Sequence, residues 1–305
     1  MFDVLMQTPI IEIFDEQLEK YGVKLYAKRE DLTDPVISGN KYRKLKYNLI
    51  YAKQKRFHTL LSFGGAYSNH IHAVAYAGYK FGFKTIGIIR GEEIKPLNPT
   101  LEDARSFGMK LHFISRTSYR NKNEQQFIEN LKNKFGDFYL IPEGGSNSLA
   151  VKGCEEILME DEREFDHICC ACGTGATLAG IITNLNGIKK AWGFPVLKHG
   201  EFLKEDISRL IYDYNKRSYT NWDLITNYHF GGYAKYTFEL ISFINRFKKA
   251  HKIQLDPIYT GKLFFGIYDG IERGFFTSGE KILAIHTGGL QGIKGFNNRF
   301  GNLID

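Results

Sequence analysis

Two stretches of this chain carry residue types that could do covalent and anion-binding chemistry. In SGNKYRKL, residues 38–45, a small turn of Ser38, Gly39 and Asn40 delivers Lys41 to the first turn of a helix. Unpaired backbone N–H groups and the helix dipole disfavour an ammonium there, which makes Lys41 a candidate for a partly neutral amine. Only the uncharged amine attacks an aldehyde, so the chemistry such a lysine suits is Schiff-base formation. The competing reading is a solvated basic face, because Arg43, Lys44 and Lys46 surround it. In HICCACGTGATLAGII, residues 167–182, an apolar strand over 168–171 leads through Gly173, Thr174 and Gly175 into a helix from Thr177. Glycines admit a ligand close to the backbone, and free N–H groups at a helix start with threonine hydroxyls make an anion site, with phosphate the expected guest. The nucleotide motifs fit poorly: the spacing is GxGxxxxG rather than GxGxxG, and no GK[ST] follows. A phosphate held without its nucleotide, together with a Schiff-base lysine, points to pyridoxal phosphate.

Those residues need a frame. The alternation in VKLYAKRED predicts a strand over 23–28, and TLLSFGGAYSNHIHAVAYAGYKFG a buried strand over 59–63, a tight turn at Gly64 and Gly65, and a helix from Asn69. Ser68 and Asn69 then lie at the C-terminal edge of a strand, where βα units bind ligands, although plain helix capping would also employ both. KTIGIIRG, LEDARSFGMKLHFIS, QQFIENLKNKFG and FYLIPEGGSN continue the alternation of strand and helix, which argues for a parallel sheet wound on both faces. Further on, FPVLKHG reads as a strand and EDISRLIYDYNKR as a helix, while Tyr233 follows a double glycine ahead of a long amphipathic helix. Tyr259 and Thr260 stand at another helix start, and a last strand over 282–285 ends in His286, Thr287, Gly288 and Gly289.

Composition narrows the classes. The chain has 305 residues, ample for one large or two medium domains, and its formal charge of +7 is spread along it rather than gathered in a tail. No zinc-finger or RNP motif accompanies that charge, so nucleic acid is not expected. All four cysteines fall between Cys154 and Cys172; Cys169 and Cys172 make a CxxC spacing, but the apolar surroundings favour buried strand thiols over a redox or metal site. The acidic N-terminal stretch lacks a signal-peptide pattern and no apolar run reaches membrane-spanning length, so a soluble, cytoplasmic protein is expected and no metal is.

In the order TPI, KREDLTDPVISGNKYRKL, SFGGAYSNH, IPEGGSN, CGTGATLAG, LDPIYTGK and HTGG, the chain resembles the tryptophan-synthase-β-like pyridoxal phosphate enzymes of fold type II. Within them it is similar to the 1-aminocyclopropane-1-carboxylate (ACC) deaminase and D-cysteine desulfhydrase group. The resemblance implies an α/β fold of two open twisted, mainly parallel sheets with helices on both faces. The cofactor, pyridoxal 5'-phosphate, would lie in the cleft between a smaller domain, 50–144, and a larger one, 1–49 with 145–305. It implies Lys41 as the cofactor-binding lysine and later proton carrier, Asn69 on the ring hydroxyl oxygen and Ser68 beside the substrate. Gly173, Thr174, Gly175, Ala176 and Thr177 would form the phosphate cradle, with Tyr233 and Tyr259 as the active-site tyrosines. The family also implies a homodimer acting on a small amino acid.

Two positions discriminate within the group. ACC deaminases carry a glutamate after the second tyrosine, near the pyridine nitrogen, and a leucine in HLGG; Thr260 and Thr287 here follow the desulfhydrase pattern. A glutamate would keep the ring nitrogen protonated and the ring a strong electron sink, whereas a neutral hydroxyl only hydrogen-bonds it. The expected function is therefore a deaminating α,β-elimination of the D-cysteine desulfhydrase kind. The alternatives are ACC deaminase, a pyridoxal phosphate-binding protein without turnover and, further off, a nicotinamide-dependent dehydrogenase. Tyr67 departs from the family, which has glutamine before SNH, and bears on the shape of the pocket.

Overall fold

The computed structural model describes residues 6–305, less the side chains of Asp161 and Arg163; the opening of the N-terminal stretch and of the expected larger domain lies outside the described residues. The strands are β1 (Ile10–Ile13), β2 (Lys24–Lys28), β3 (Thr59–Gly65), β4 (Lys84–Arg90), β5 (Lys110–Ile114) and β6 (Tyr139–Ile141). They continue with β7 (His167–Cys172), β8 (Lys190–Pro195), β9 (Trp222–Leu224) and β10 (Lys281–Ile285). They form a six-stranded sheet in the order β1-β2-β10-β7-β8-β9 and a four-stranded sheet in the order β5-β4-β3-β6. Only β1 and β2 pair antiparallel; the other ladders are parallel, as strands joined by helical crossovers must be.

Parallel sheets are covered on both faces, and β7 shows how the sequence meets that demand. Cys169 and Ala171 face one core, packed with Leu240, Ile244, Leu263 and Phe264 of the helices Phe238–His251 and Thr260–Glu272. Ile168, Cys170 and Cys172 face the other, with Cys154, Leu178, Ile181 and Ile182. The cysteines are thus small apolar side chains of a buried strand and its neighbouring helix; burial pushes the Cys169 thiol well up, and the neighbouring Cys172 thiol and then burial do the same for Cys170.

Two expectations shift by a few residues. Gly64 and Gly65, read as a turn, are the last residues of β3 and pair with Ile89 and Arg90. Glycine is used at 64 because a Cβ there would stand 2.5 Å from Ile71 Cγ1 and 2.8 Å from Ser68 Oγ, so its absence lets the next helix fold back tightly. The strand expected in FPVLKHG lies earlier, at Lys190–Pro195, because its partner β7 turns into the glycine loop after Cys172 and the ladder ends with it.

The helix Asn40–Gln54 is wedged between the layers. Leu45, Leu49 and Ala52 join the core of the four-stranded sheet with Leu60 and Ile71. Its other side crosses the helix Ser148–Glu155 so closely that a Cβ on Gly153 would fall 1.9 Å from the Arg43 carbonyl oxygen. Lys41, in the first turn of this wedge, therefore emerges between the two sheets.

Candidate active site

A cleft of about 1820 Å³ opens along the C-terminal strand ends, and Lys41, Ser68, Asn69 and Thr287 line it together with Gly173, Thr174, Gly175 and Thr177. Tyr233 and Tyr259 close it from the side of the longer helices, while Ala176 and Thr260, expected at the cofactor, are fully buried behind the residues that line it.

Lys41 Nζ donates a 3.1 Å hydrogen bond to Asn40 Oδ1. Burial and then the Lys44 charge lower its pKa to about 7, so near neutrality about half of the amines are uncharged. Desolvation leads here, rather than the helix dipole expected from the position of Lys41 in the first turn. The solvated-face reading also fails for its neighbours. Arg43 is 1 % exposed and held by Glu30 at 2.8 Å, and Lys46 is 5 % exposed and held by Glu156 at 2.6 Å. Both acids lie outside the stretch, which is why local composition suggested solvent.

Gly39 sets the start of this helix. With φ +70 it adopts a backbone that L side chains rarely enter, and a Cβ there would lie 1.9 Å from the Thr287 carbonyl oxygen. The Asn40 N–H donates to that same oxygen at 3.2 Å, so the lysine turn is stitched to the end of β10.

The glycine loop is stitched to it as well. Asn40 Nδ2 donates to Thr177 Oγ1 at 2.9 Å, and Lys44 Nζ lies 3.5 Å from Thr174 Oγ1 and 3.3 Å from the Gly144 oxygen. Ser146 Oγ donates to Thr174 Oγ1 at 2.5 Å. Gly175, at φ +83, opens the helix Ala176–Leu185 with no side-chain cap, leaving first-turn N–H groups for an anion. Lys44, one turn beyond Lys41 on the same helix, supplies a buried cation at this end; the sequence offered only its i, i+3 spacing as a signal.

The tyrosines are placed by buried charges. Asp256, 1 % exposed, accepts from the N–H groups of Ile258 (2.8 Å), Tyr259 (3.0 Å) and Thr260 (2.8 Å) and from Thr260 Oγ1 (2.8 Å). The Thr260 hydroxyl also accepts from the Asp256 N–H at 2.8 Å, so it is turned onto this aspartate. The Tyr233 and Tyr259 rings meet edge to face with centroids 6.2 Å apart. Burial pushes the Tyr259 phenol well up; the Tyr233 phenol is raised too, although that residue keeps 41 % of its surface exposed.

Ser68 caps the helix Asn69–Phe81, its Oγ accepting from the Ile71 N–H at 3.3 Å, as the structural reading of this residue anticipated. Asn69 Oδ1 accepts from Gln291 Nε2, and Gly289 leaves room for the amide, since a Cβ there would come within 2.7 Å of Asn69 Nδ2. Gln291 was not legible as a site residue. Tyr67 lies flat enough on Gly295 that a Cβ there would meet its Cδ1 at 3.0 Å, so its ring forms cleft wall against the helix Gly292–Phe300. Among the described residues no group of three or more metal-ligating side chains gathers, and no helix is long and apolar enough to cross a membrane.

Comparison with known proteins adds the family. The family described as "Pyridoxal-phosphate dependent enzyme" matches residues 2–288. An Arabidopsis thaliana protein named bifunctional D-cysteine desulfhydrase/1-aminocyclopropane-1-carboxylate deaminase, mitochondrial, is 33% identical over 298 residues, covering 89% of this chain and 74% of its own. The 1-aminocyclopropane-1-carboxylate deaminase of Rhizobium rhizogenes is 29% identical over 96% of this chain and 95% of its own. A crystal structure described as an ACC deaminase homologue superposes with a TM-score of 0.86 at 31% identity, covering 99% of this chain and 96% of that one.

Proposed function

This chain belongs to the pyridoxal-phosphate dependent enzymes of fold type II, in the group of ACC deaminase and D-cysteine desulfhydrase, and on that premise we propose that this lyase converts D-cysteine and water to pyruvate, ammonia and sulfide. The observation that carries the choice is Thr260: a neutral, fully buried hydroxyl stands where the deaminase pattern has a glutamate, and its proton is directed to Asp256. A weaker electron sink is enough to expel thiolate, a good leaving group, and less suited to opening a cyclopropane.

The residues present fit pyridoxal phosphate. A partly buried lysine with a lowered pKa lies across the cleft from an uncapped glycine loop, and Lys44 supplies a cation at the loop. In this proposal Lys41 holds the cofactor aldehyde, Thr174, Gly175, Ala176 and Thr177 with Gly173 and Lys44 hold its phosphate, and Asn69 and Thr287 flank its ring. Bound pyridoxal phosphate supplies the electron sink that acidifies Cα–H and lets a β substituent leave. Lys41 would take the Cα proton as a neutral amine, which its lowered pKa favours. Tyr233 or Tyr259 delivers a proton to the departing sulfur, and the two phenols pass it between them. Ser68 and the Asn69 helix start receive the substrate carboxylate. The same proposal divides the chain at the cleft, 50–144 against the flanking segments.

The test is to add D-cysteine, L-cysteine and ACC to the purified yellow protein and follow sulfide, 2-oxo acid and ammonia together. Equimolar sulfide and pyruvate from D-cysteine, faster than any product from ACC and abolished by Lys41→Ala, is expected. Faster turnover of ACC would favour the second reading, ACC deaminase, which the names of the relatives support. Cofactor absorbance with no product from any of the three would sink both.

A further inference from the structure

Lys262 is one of the most deeply buried cations in the chain, 1 % exposed, and it lies in the first turn of the helix Thr260–Glu272. Both circumstances are unfavourable to an ammonium, since burial strips its water and a helix N-terminus repels positive charge. Burial lowers its pKa to about 8, against the pull of the Asp256 carboxylate. A cation kept there needs a structural reason, and its hydrogen bonds supply one. Lys262 Nζ donates to the His229 carbonyl at 2.9 Å and to the Gly232 carbonyl at 2.8 Å.

Those two oxygens are the corners of consecutive turns. The Gly232 N–H donates to His229 O at 2.9 Å, and the Lys235 N–H donates to Gly232 O at 3.1 Å. Each carbonyl thus has two donors, one from its own turn and one from Lys262. The first turn has Phe230 at φ 51 and Gly231 at φ 92 in its centre; the second has Tyr233 followed by Ala234 at φ 55. Two non-glycine residues in the left-handed region mean that this segment is held by its surroundings rather than by its own preference. Phe230 is gripped by Phe265, centroids 5.0 Å apart and nearly perpendicular. The Gly231 N–H donates to His229 Nδ1 at 2.9 Å within the first turn, and the lysine holds both turns at once; the residue the second turn projects is Tyr233.

We propose that Lys262 is a positioning residue that pins the double turn 229–235 and thereby sets Tyr233 against Tyr259 over the cleft. The idea rests on the proposed role of Tyr233 for its effect on turnover, but the pinning itself does not. Lys262→Met keeps the length and apolar stem and removes both donors, whereas Lys262→Gln keeps one short donor group.

The experiment has two arms on the cofactor-loaded protein. Amide hydrogen exchange of a peptide spanning 228–237 reads the pin directly, because the Gly232 and Lys235 amides bond to the carbonyls that Lys262 holds. In Lys262→Met those amides should exchange about tenfold faster, with Lys262→Gln between, while amides in the middle of the helix Phe238–His251 keep their protection. Unchanged exchange at 232 and 235 would overturn the proposal, and so would a uniform rise across the whole larger sheet, which signals general unfolding. The second arm is a double-mutant cycle on D-cysteine, or on ACC if that is the faster substrate. Lys262→Met should lower kcat about tenfold in the native background and less than about threefold in Tyr233→Phe, since a residue acting through Tyr233 has little left to affect. Additive losses would refute positioning through Tyr233. A Tyr233→Phe protein as active as the native one would instead remove Tyr233 from the reaction and leave the exchange arm to decide the pin.

Discussion

Replacing Lys44 by Gln should return Lys41 towards an ordinary lysine, and the size of the return follows from the helix geometry. Lys41 and Lys44 are i, i+3 neighbours, about 5–6 Å apart on one face. At an effective dielectric near 20, two unit charges at about 6 Å repel by roughly 2.8 kcal/mol, which is about two pKa units for a fully charged neighbour. The two ammonium groups end flexible stems that reach beyond the Cβ spacing, so about one to two units is expected. Lys41, at about 7 in the native chain, would then titrate near 8 to 9. The sign is clear: the neutral amine is the attacking form, so its onset moves to higher pH, and at pH 7 the neutral fraction falls from about half to about a tenth or less. Because Lys44 also borders the glycine loop proposed to hold the phosphate, the probe should be pyridoxal, which has no phosphate to lose. Adding it to cofactor-free native and Lys44→Gln proteins between pH 6 and 10, and following the rate at which the yellow lysine adduct appears, gives the two midpoints. A midpoint that stays near that of the native protein would refute the view that Lys44 helps to keep Lys41 neutral and would leave burial as the sole cause.

Two further substitutions probe how the site is held. Gly39→Ala places a methyl 1.9 Å from the Thr287 oxygen at φ +70, so the lysine turn must leave β10; cofactor affinity measured by titration should fall at least about tenfold, an unchanged affinity counting against the stitched geometry. Asp256→Asn keeps the size but gives up the charge that three N–H groups and the Thr260 hydroxyl converge on, costing about 2 kcal/mol in urea unfolding and lowering turnover as Tyr259 loosens; a loss below about 0.5 kcal/mol would show that the amide serves equally well.

The sequence carried the local units well. The two strand, glycine and helix units at 59–81 and 167–185 were legible because period-2 and continuous apolar runs stop at glycines, and the sheet class follows from their repetition. Lys41 and the glycine loop were legible because their chemistry is visible in a few adjacent residues. What was hidden depends on partners far along the chain. Nothing in RKLK announces that Arg43 finds Glu30 and Lys46 finds Glu156, so a buried charge network looked like a wet face. Gln291 and Lys262 read as ordinary polar residues because their partners, Asn69 and the 229–232 carbonyls, come from other segments. Strand neighbours in the larger sheet follow no local rule, the short β9 offers only three residues to pattern, and the helix Gly292–Phe300 is built on poor helix formers, Gly292, Gly295, Asn297 and Asn298.

The position of β10 between β2 and β7 bears on how the protein is made. The strands of the smaller sheet all lie within residues 59–141, so that layer can close while the ribosome is still at work. The larger layer cannot, because β10, one of its interior strands, follows the other nine in the chain and must slot between edges already present. Until it arrives, the unpaired edges of β2 and β7 invite other chains, and Thr287, the anchor for the Lys41 turn, is missing. If the Lys41 turn holds the cofactor as proposed, that competence is acquired in one late event, and cofactor added during refolding should capture only chains that have completed it.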